Sequence, residues 1–201
     1  ESRSVSNPLI FDPLAGLIAK AGRGDRAAAA TLVKAVSPKL WRISWRLLRD
    51  ATEAEDVTQE ALIRLWKVLP TWQAGRAKVE TWLHQVTTNL CFDRLRKAGR
   101  FVDEDQAPEP LDPGPMPDTR LHQSALRDCV DAALASLPDR QRAAIVLTHY
   151  EELAAKEVGE VLGISVDAVE SLLARGRRAL RLALAPEKAD LLQASVEGHA
   201  A

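Results

Sequence analysis

The stretch Lys156–Arg178, KEVGEVLGISVDAVESLLARGRR, decides the fold. Its apolar residues recur at helical spacing up to Gly163, and a second helical register begins directly behind Ser165. Two short helices joined by a turn containing glycine form a helix-turn-helix. Val158 and Leu162 share one face of the first helix, and Val169, Leu172 and Leu173 line one face of the second. Gly159 is small where the two helices would cross, and Gly163 suits a turn that requires positive φ. Ser165 is a strong N-cap, so the amide end of the second helix can face a phosphate. The helix ends in a basic run, Arg175, Arg177, Arg178 and Arg181. Cap, turn, apolar register and basic run together predict a DNA-binding element.

Outward from that element, the 201 residues divide by charge. Residues 1–100 hold 17 Lys/Arg against 10 Asp/Glu, which suggests a polyanionic partner. Residues 101–118, FVDEDQAPEPLDPGPMPD, hold six acids, five prolines and no base. That composition cannot bury a core, and it predicts a flexible, self-repelling acidic linker. The expected organisation is therefore a first domain over 1–100, a linker over 101–118 and a second domain over 119–201. Abundant Ala, Leu and Arg with only 4% aromatic residues predicts an all-α fold of two small helical domains.

In the first domain, helices are expected over 13–21, 26–50 (interrupted or kinked at Pro38), 53–68 and 78–97. In the second they are expected over 118–135 and 140–149, ahead of the helix-turn-helix. The five tryptophans are read mainly as core residues. Two cysteines, Cys91 and Cys129, are too few for a disulfide framework and have no metal-ligand spacing. Four scattered histidines, with no nucleophile constellation and no Gly-rich phosphate loop, argue against an enzyme, and no cofactor is expected. No apolar run approaches the roughly 20 residues of a membrane span, and no signal-peptide core is present near residue 1, so cytoplasm is the expected compartment.

Three segments in order carry a family resemblance. EAEDVTQEALIRLWK (53–67), TWLHQVTTNLCFDRLRK (81–97) and LPDRQRAAIVLTHYEELAAKEVGEVLGISVDAVESLLARGRRALR (137–181) resemble regions 2.2, 2.3–2.4 and 4 of the extracytoplasmic-function (ECF) sigma factors of the sigma-70 family. The resemblance implies a subunit that binds core RNA polymerase, reads and melts the minus-10 promoter element with the first domain, and reads the minus-35 element with the second. It implies contacts to the β′ clamp helices and the β flap, and control by an anti-sigma factor. The alternative is a sigma-like decoy that binds an anti-sigma factor without acting at promoters. Such mimics usually carry a receiver domain that this chain lacks.

By that resemblance Asp56, Gln59, Glu60 and Arg64, on one helical stripe, would dock on polymerase; the large apolar Leu62, Leu65 and Trp66 are expected to face the domain core. Asn89 would lie beside a captured minus-10 base, with Arg94, Arg96 and Lys97 on phosphates. Ser165, Val166, Asp167, Glu170 and Ser171 would meet minus-35 base edges, with Arg175, Arg177 and Arg178 on the backbone. Glu170 and Leu172 depart from the family pattern, which commonly has a basic residue at each, and Leu172 fits an apolar core position. A linker of 18 residues reaches at most ~60 Å at ~3.3 Å per residue, which is enough to connect promoter elements about 58 Å apart on duplex DNA.

Overall fold

The computed structural model describes residues 12–73, 78–102 and 124–185. The linker expected over 101–118 falls outside them except for Phe101 and Val102, and so does the first part, 118–123, of the helix expected over 118–135. Eight helices make up the described chain: α1 Ala15–Gly22, α2 Arg26–Leu48, α3 Ala51–Val68, α4 Val79–Lys97, α5 Ser124–Ala135, α6 Asp139–His149, α7 Ala155–Leu162 and α8 Val166–Ala183. A short 3-10 turn, Leu69–Thr71, follows α3. The described residues contain no strand. The chain clusters into two compact units that divide near Asp93.

In the first unit, α2 and α3 form an antiparallel pair joined by two residues. Arg49 closes α2 in the left-handed conformation (φ 58°), with its N–H on the Trp45 carbonyl at 2.8 Å. Asp50 then opens α3 by accepting from the Glu53 N–H at 2.9 Å. Asp25 does the same for α2, accepting from the N–H groups of Ala27 and Ala28. Such caps contribute about 1 kcal/mol each. Leu32, Val36, Leu40, Ile43 and Leu47 of α2 pack with Val57, Ala61 and Leu65 of α3, all essentially inaccessible to solvent. Pro38 does not interrupt α2, which runs unbroken past it. Its ring lies on the exposed side, where water can serve the carbonyl it leaves unpaired.

The tryptophans differ from expectation. Trp41, Trp45, Trp72 and Trp82 are half-buried, and Trp66 is 39% exposed. They cover the core's rim instead of filling it. Trp41 and Trp45 stack at 6.2 Å, Arg49 lies 4.1 Å over the Trp45 ring, and Trp72 meets Trp82 edge-on at 5.8 Å. Aliphatic residues and alanines fill the narrow space between these close-packed helices, where an indole would not fit.

In the second unit α6 is the central helix. Its residues from Ala143 to Leu147 are all buried. Helix α8 packs against α6, and its Val169, Leu172 and Leu173 are buried, as are Leu134 of α5 and Val158 of α7. Arg142 and Asp139 form a buried ion pair at the start of α6. Arg142 also donates to the Ala135 carbonyl that ends α5, and Asp139 accepts from the Val102 N–H. Burial raises the Asp139 carboxyl above its ordinary range, against the opposing pull of the Arg142 guanidinium.

The helix-turn-helix forms as its sequence predicts. Gly163 ends α7 at φ 67°, and the Ser165 hydroxyl accepts from the Ala168 N–H at the start of α8. Gly159 is the tight point: a Cβ there would stand 2.8 Å from the Ile164 carbonyl oxygen, a contact between backbones that neither side chain can relieve. Gly159→Ala should therefore destabilise the protein by roughly 1–3 kcal/mol. Gly16→Ala, with nothing within 4 Å of the new methyl in an exposed helix, should cost nothing or gain up to about 1 kcal/mol. Urea unfolding followed by circular dichroism checks both, and equal stability of the two variants would contradict the close crossing.

Candidate nucleic-acid interface

Helix α8 divides its residues by side. Val169, Leu172, Leu173 and Gly176 are buried against the rest of the unit. Leu172 is thus a core residue at 4% exposure, which explains why no basic side chain can stand there. Ser165, Val166, Asp167, Glu170, Ser171, Arg175, Arg177 and Arg178 are all exposed. Helical spacing places Asp167, Ser171 and Arg178 in one line opposite the core. Glu170, Arg177 and Arg181 lie on one shoulder of that line and Arg175 on the other. The basic run is therefore spread around the helix and does not form a single patch.

Its members also have local partners. Arg177 Nε reaches His149 Nε2 at 3.4 Å, Arg181 Nε reaches the Arg177 carbonyl at 3.3 Å, and Arg175 Nε reaches the Ser171 carbonyl at 3.4 Å. The Ser171 hydroxyl donates to the Asp167 carbonyl at 3.0 Å, leaving its oxygen lone pairs to face outward. At the start of α7, Glu157 accepts from the Ala154 N–H at 3.2 Å. The reciprocal cap is missing because Ala154 has no side-chain acceptor.

Helix α4 is mostly interior. Leu83, His84, Thr87, Thr88, Leu90, Cys91, Phe92 and Leu95 are buried, whereas Asn89, Arg96 and Lys97 are exposed and Arg94 is half-buried. Asn89 thus stands on the outer side of α4, in the body of the helix. Arg96 does not stand free: its guanidinium lies 4.6 Å over the Phe101 ring. His84 is buried at 4% exposure.

Two anchors hold the start of α4. The Lys39 ammonium of α2 meets Glu80 at 2.7 Å. Asp12, just ahead of α1, accepts from the Leu14 N–H through Oδ1 at 2.8 Å and from the Val79 N–H through Oδ2 at 3.0 Å. Nothing in the local sequence around Val79 signals a cap supplied from 67 residues away.

On α3, Asp56, Gln59 and Arg64 are exposed and Glu60 is half-exposed. Glu60 and Arg64 pair at 2.6 Å, so these two charges largely neutralise each other. The sequence reading placed Trp66 in the core, and the structure corrects this: Leu65 is buried, Leu62 is half-buried and Trp66 is exposed. Ile63, unassigned by that reading, is 52% exposed. The core side of α3 is already complete with Ala54, Val57, Thr58, Ala61 and Leu65. Ile63 falls four residues after Gln59 and seven after Asp56, the middle of the opposite face. That spacing was readable and would have identified it. Asp56, Gln59, Ile63 and Trp66 thus make one mixed polar and apolar outer surface.

Among the described residues no helix is long and apolar enough to cross a membrane, and no group of His, Cys, Asp or Glu is suited to a metal ion.

Comparison with known proteins fits this geometry. Residues 32–101 match the family Sigma-70 region 2, and residues 127–180 match Sigma-70, region 4. The chain is 37% identical over 179 residues to the ECF RNA polymerase sigma factor SigE of Mycolicibacterium smegmatis, covering 86% of this chain and 68% of that protein. It is 33% identical over 169 residues to the ECF RNA polymerase sigma factor SigW of Bacillus subtilis, covering 79% and 90% respectively. Among solved structures it is similar to CnrH, determined in complex with the cytosolic domain of CnrY, at a TM-score of 0.63 and 26% identity over 85% of this chain and 96% of that one. The fold also matches that of RpoE from Bartonella quintana, determined with the anti-sigma factor NepR, at a TM-score of 0.60 and 24% identity over 77% and 95%. The matched regions stand in the same order as the two helical units, and the chain belongs to the ECF RNA polymerase sigma factors of the sigma-70 family.

Proposed function

We propose that this sigma factor, which directs RNA polymerase to promoters, divides its work between a first domain over 1–100 and a second over 119–201, joined by the linker 101–118. The first docks on core polymerase through α3 and takes the minus-10 element on α4. The second presents α8 to the minus-35 element. The protein acts in the cytoplasm as a specificity subunit and carries out no catalysis of its own. An anti-sigma factor is its regulator, in keeping with the RpoE–NepR pairing named for a protein of the same fold.

The observation that carries this reading is the outer face of α3. Ile63 and Trp66 are large and exposed on a helix whose other side fully satisfies the core. Apolar side chains beside Asp56 and Gln59 fit a protein partner, where an anchor is buried and the polar groups around it fix orientation. Matches to both sigma-70 regions, and to relatives named as ECF RNA polymerase sigma factors, favour this reading over that of a decoy. Ile63→Ala with Trp66→Ala should weaken core polymerase binding by at least about tenfold, some 1.4 kcal/mol, and leave the helical circular dichroism spectrum unchanged. A fluorescence titration with core enzyme that shows undiminished affinity would remove α3 as the docking surface.

On α8, Arg178 faces outward where a phosphate can reach it, and Glu170 sits where a base edge can. Arg178→Ala should weaken all promoters alike and reduce the salt slope of DNA binding by about one unit. Glu170→Lys should change which minus-35 sequence is selected from a randomised pool, with discrimination of roughly 1–3 kcal/mol per base pair. Identical selected sequences would show that Glu170 reads no base and leave Ser165, Val166, Asp167 and Ser171 as the readers.

A further inference from the structure

Helix α4 has an unusual problem at its start. The first N–H groups of a helix lack intrahelical acceptors. The other long helices solve this with the residue directly ahead of them: Asp25 for α2, Asp50 for α3 and Ser165 for α8. The residue ahead of Val79 is Lys78, which offers no acceptor side chain and carries a charge of the wrong sign for the positive end of a helix. The acceptor comes instead from Asp12. One carboxylate oxygen holds the Leu14 N–H at the start of α1, and the other holds the Val79 N–H at the start of α4. A single side chain thus ties two helix starts that are remote in sequence. The neighbouring Glu80 is held by Lys39 of α2, and Val79 itself is fully buried. Asp12 is half-buried, so its bond to Val79 is partly shielded from competing water.

From this geometry we infer that Asp12 is a positioning residue for promoter recognition: it fixes the axial register of α4, and with it the place of Asn89 nearly three turns further along. A helix free to fray at Val79 would lose its first turn, and the α4 surface would no longer be presented in one place. The inference rests on the reading of α4 as the minus-10 element's binding helix. It adds a residue outside both matched family regions to the machinery of that helix.

The test uses the full-length chain assembled with core polymerase. The probe is a fluorescent fork-junction DNA whose single-stranded part is the minus-10 segment selected from a random pool by the wild-type holoenzyme. Asp12→Ala removes both acceptors, Asp12→Asn keeps one acceptor oxygen, and Asn89→Ala tests the helix reading itself. The expected result is a loss of about fivefold in fork-junction affinity for Asp12→Ala, as for removal of a helix cap. A smaller loss is expected for Asp12→Asn, with core polymerase affinity unchanged for both. Amide exchange at Val79 in the free protein should be slow in the wild type and faster in Asp12→Ala, which reads the hydrogen bond directly even if the variant is less stable. Parallel losses in core and fork-junction affinity would make Asp12 a general support of the fold and overturn the positioning role. Weakening by Asn89→Ala but not by Asp12→Ala would overturn it while leaving the α4 reading intact. An Asn89→Ala variant that binds as well as the wild type would overturn the α4 reading, and the inference with it.

Discussion

A helix end leaves backbone amides or carbonyls without partners, and the corners of this chain are built around that demand. Asp25 and Asp50 supply oxygens to the first turns of α2 and α3. Asp12 supplies two helices at once, Ser165 opens α8, and Arg142 closes the carbonyl end of α5. Because these bonds are directional, they fix where the helices begin and end, and all but the Asp12 bond to Val79 are short-range in sequence. The apolar stripes then determine which side turns inward. In the second unit one further constraint acts. The Ile164 carbonyl comes so close to Gly159 that only a residue without Cβ fits. That contact holds α7 against the start of α8 and leaves the side of α8 carrying Asp167, Ser171 and Arg178 facing outward.

Much of this was legible in the sequence because it depends on short-range rules. The helix-turn-helix followed from Gly159, Gly163, Ser165 and the spacing of Val169, Leu172 and Leu173, all within fifteen consecutive residues. Helix boundaries came within a few residues for the same reason. Leu172 was correctly read as an interior position from its register alone. What escaped the reading depends on contacts between distant segments or on how much space a core offers. The Asp12 bond to Val79 spans 67 residues and has no local signature. Trp66 was placed inside because tryptophan is large and apolar, but the α3 core side was already filled by smaller residues. Ile63 could have been found by following the stripe from Asp56 and Gln59 one turn further. The partners of the arginines, His149 and Phe101 among them, required coordinates.

The charge pattern acquires a physical meaning from this arrangement. The first hundred residues have an excess of base over acid, although the whole chain is nearly neutral. Its basic residues are not a uniform coating: Arg49 and Arg96 stack on rings, Lys39 and Arg64 are paired, and Arg142 is buried. On α8, Arg175, Arg177, Arg178 and Arg181 are exposed. In the reading proposed above, α4 and α8 engage one DNA molecule together on polymerase, where the second contact is made at high effective concentration.

The central claim is that this chain, bound to core polymerase, selects promoters through two separated elements. Run-off transcription by the reconstituted holoenzyme on a randomised promoter library measures this directly. The account requires transcripts enriched for two conserved sequence blocks at a fixed spacing, with Glu170→Lys altering only the upstream block and Asn89→Ala only the downstream one. Transcription independent of promoter sequence, or none with core enzyme that the protein demonstrably binds, would contradict it.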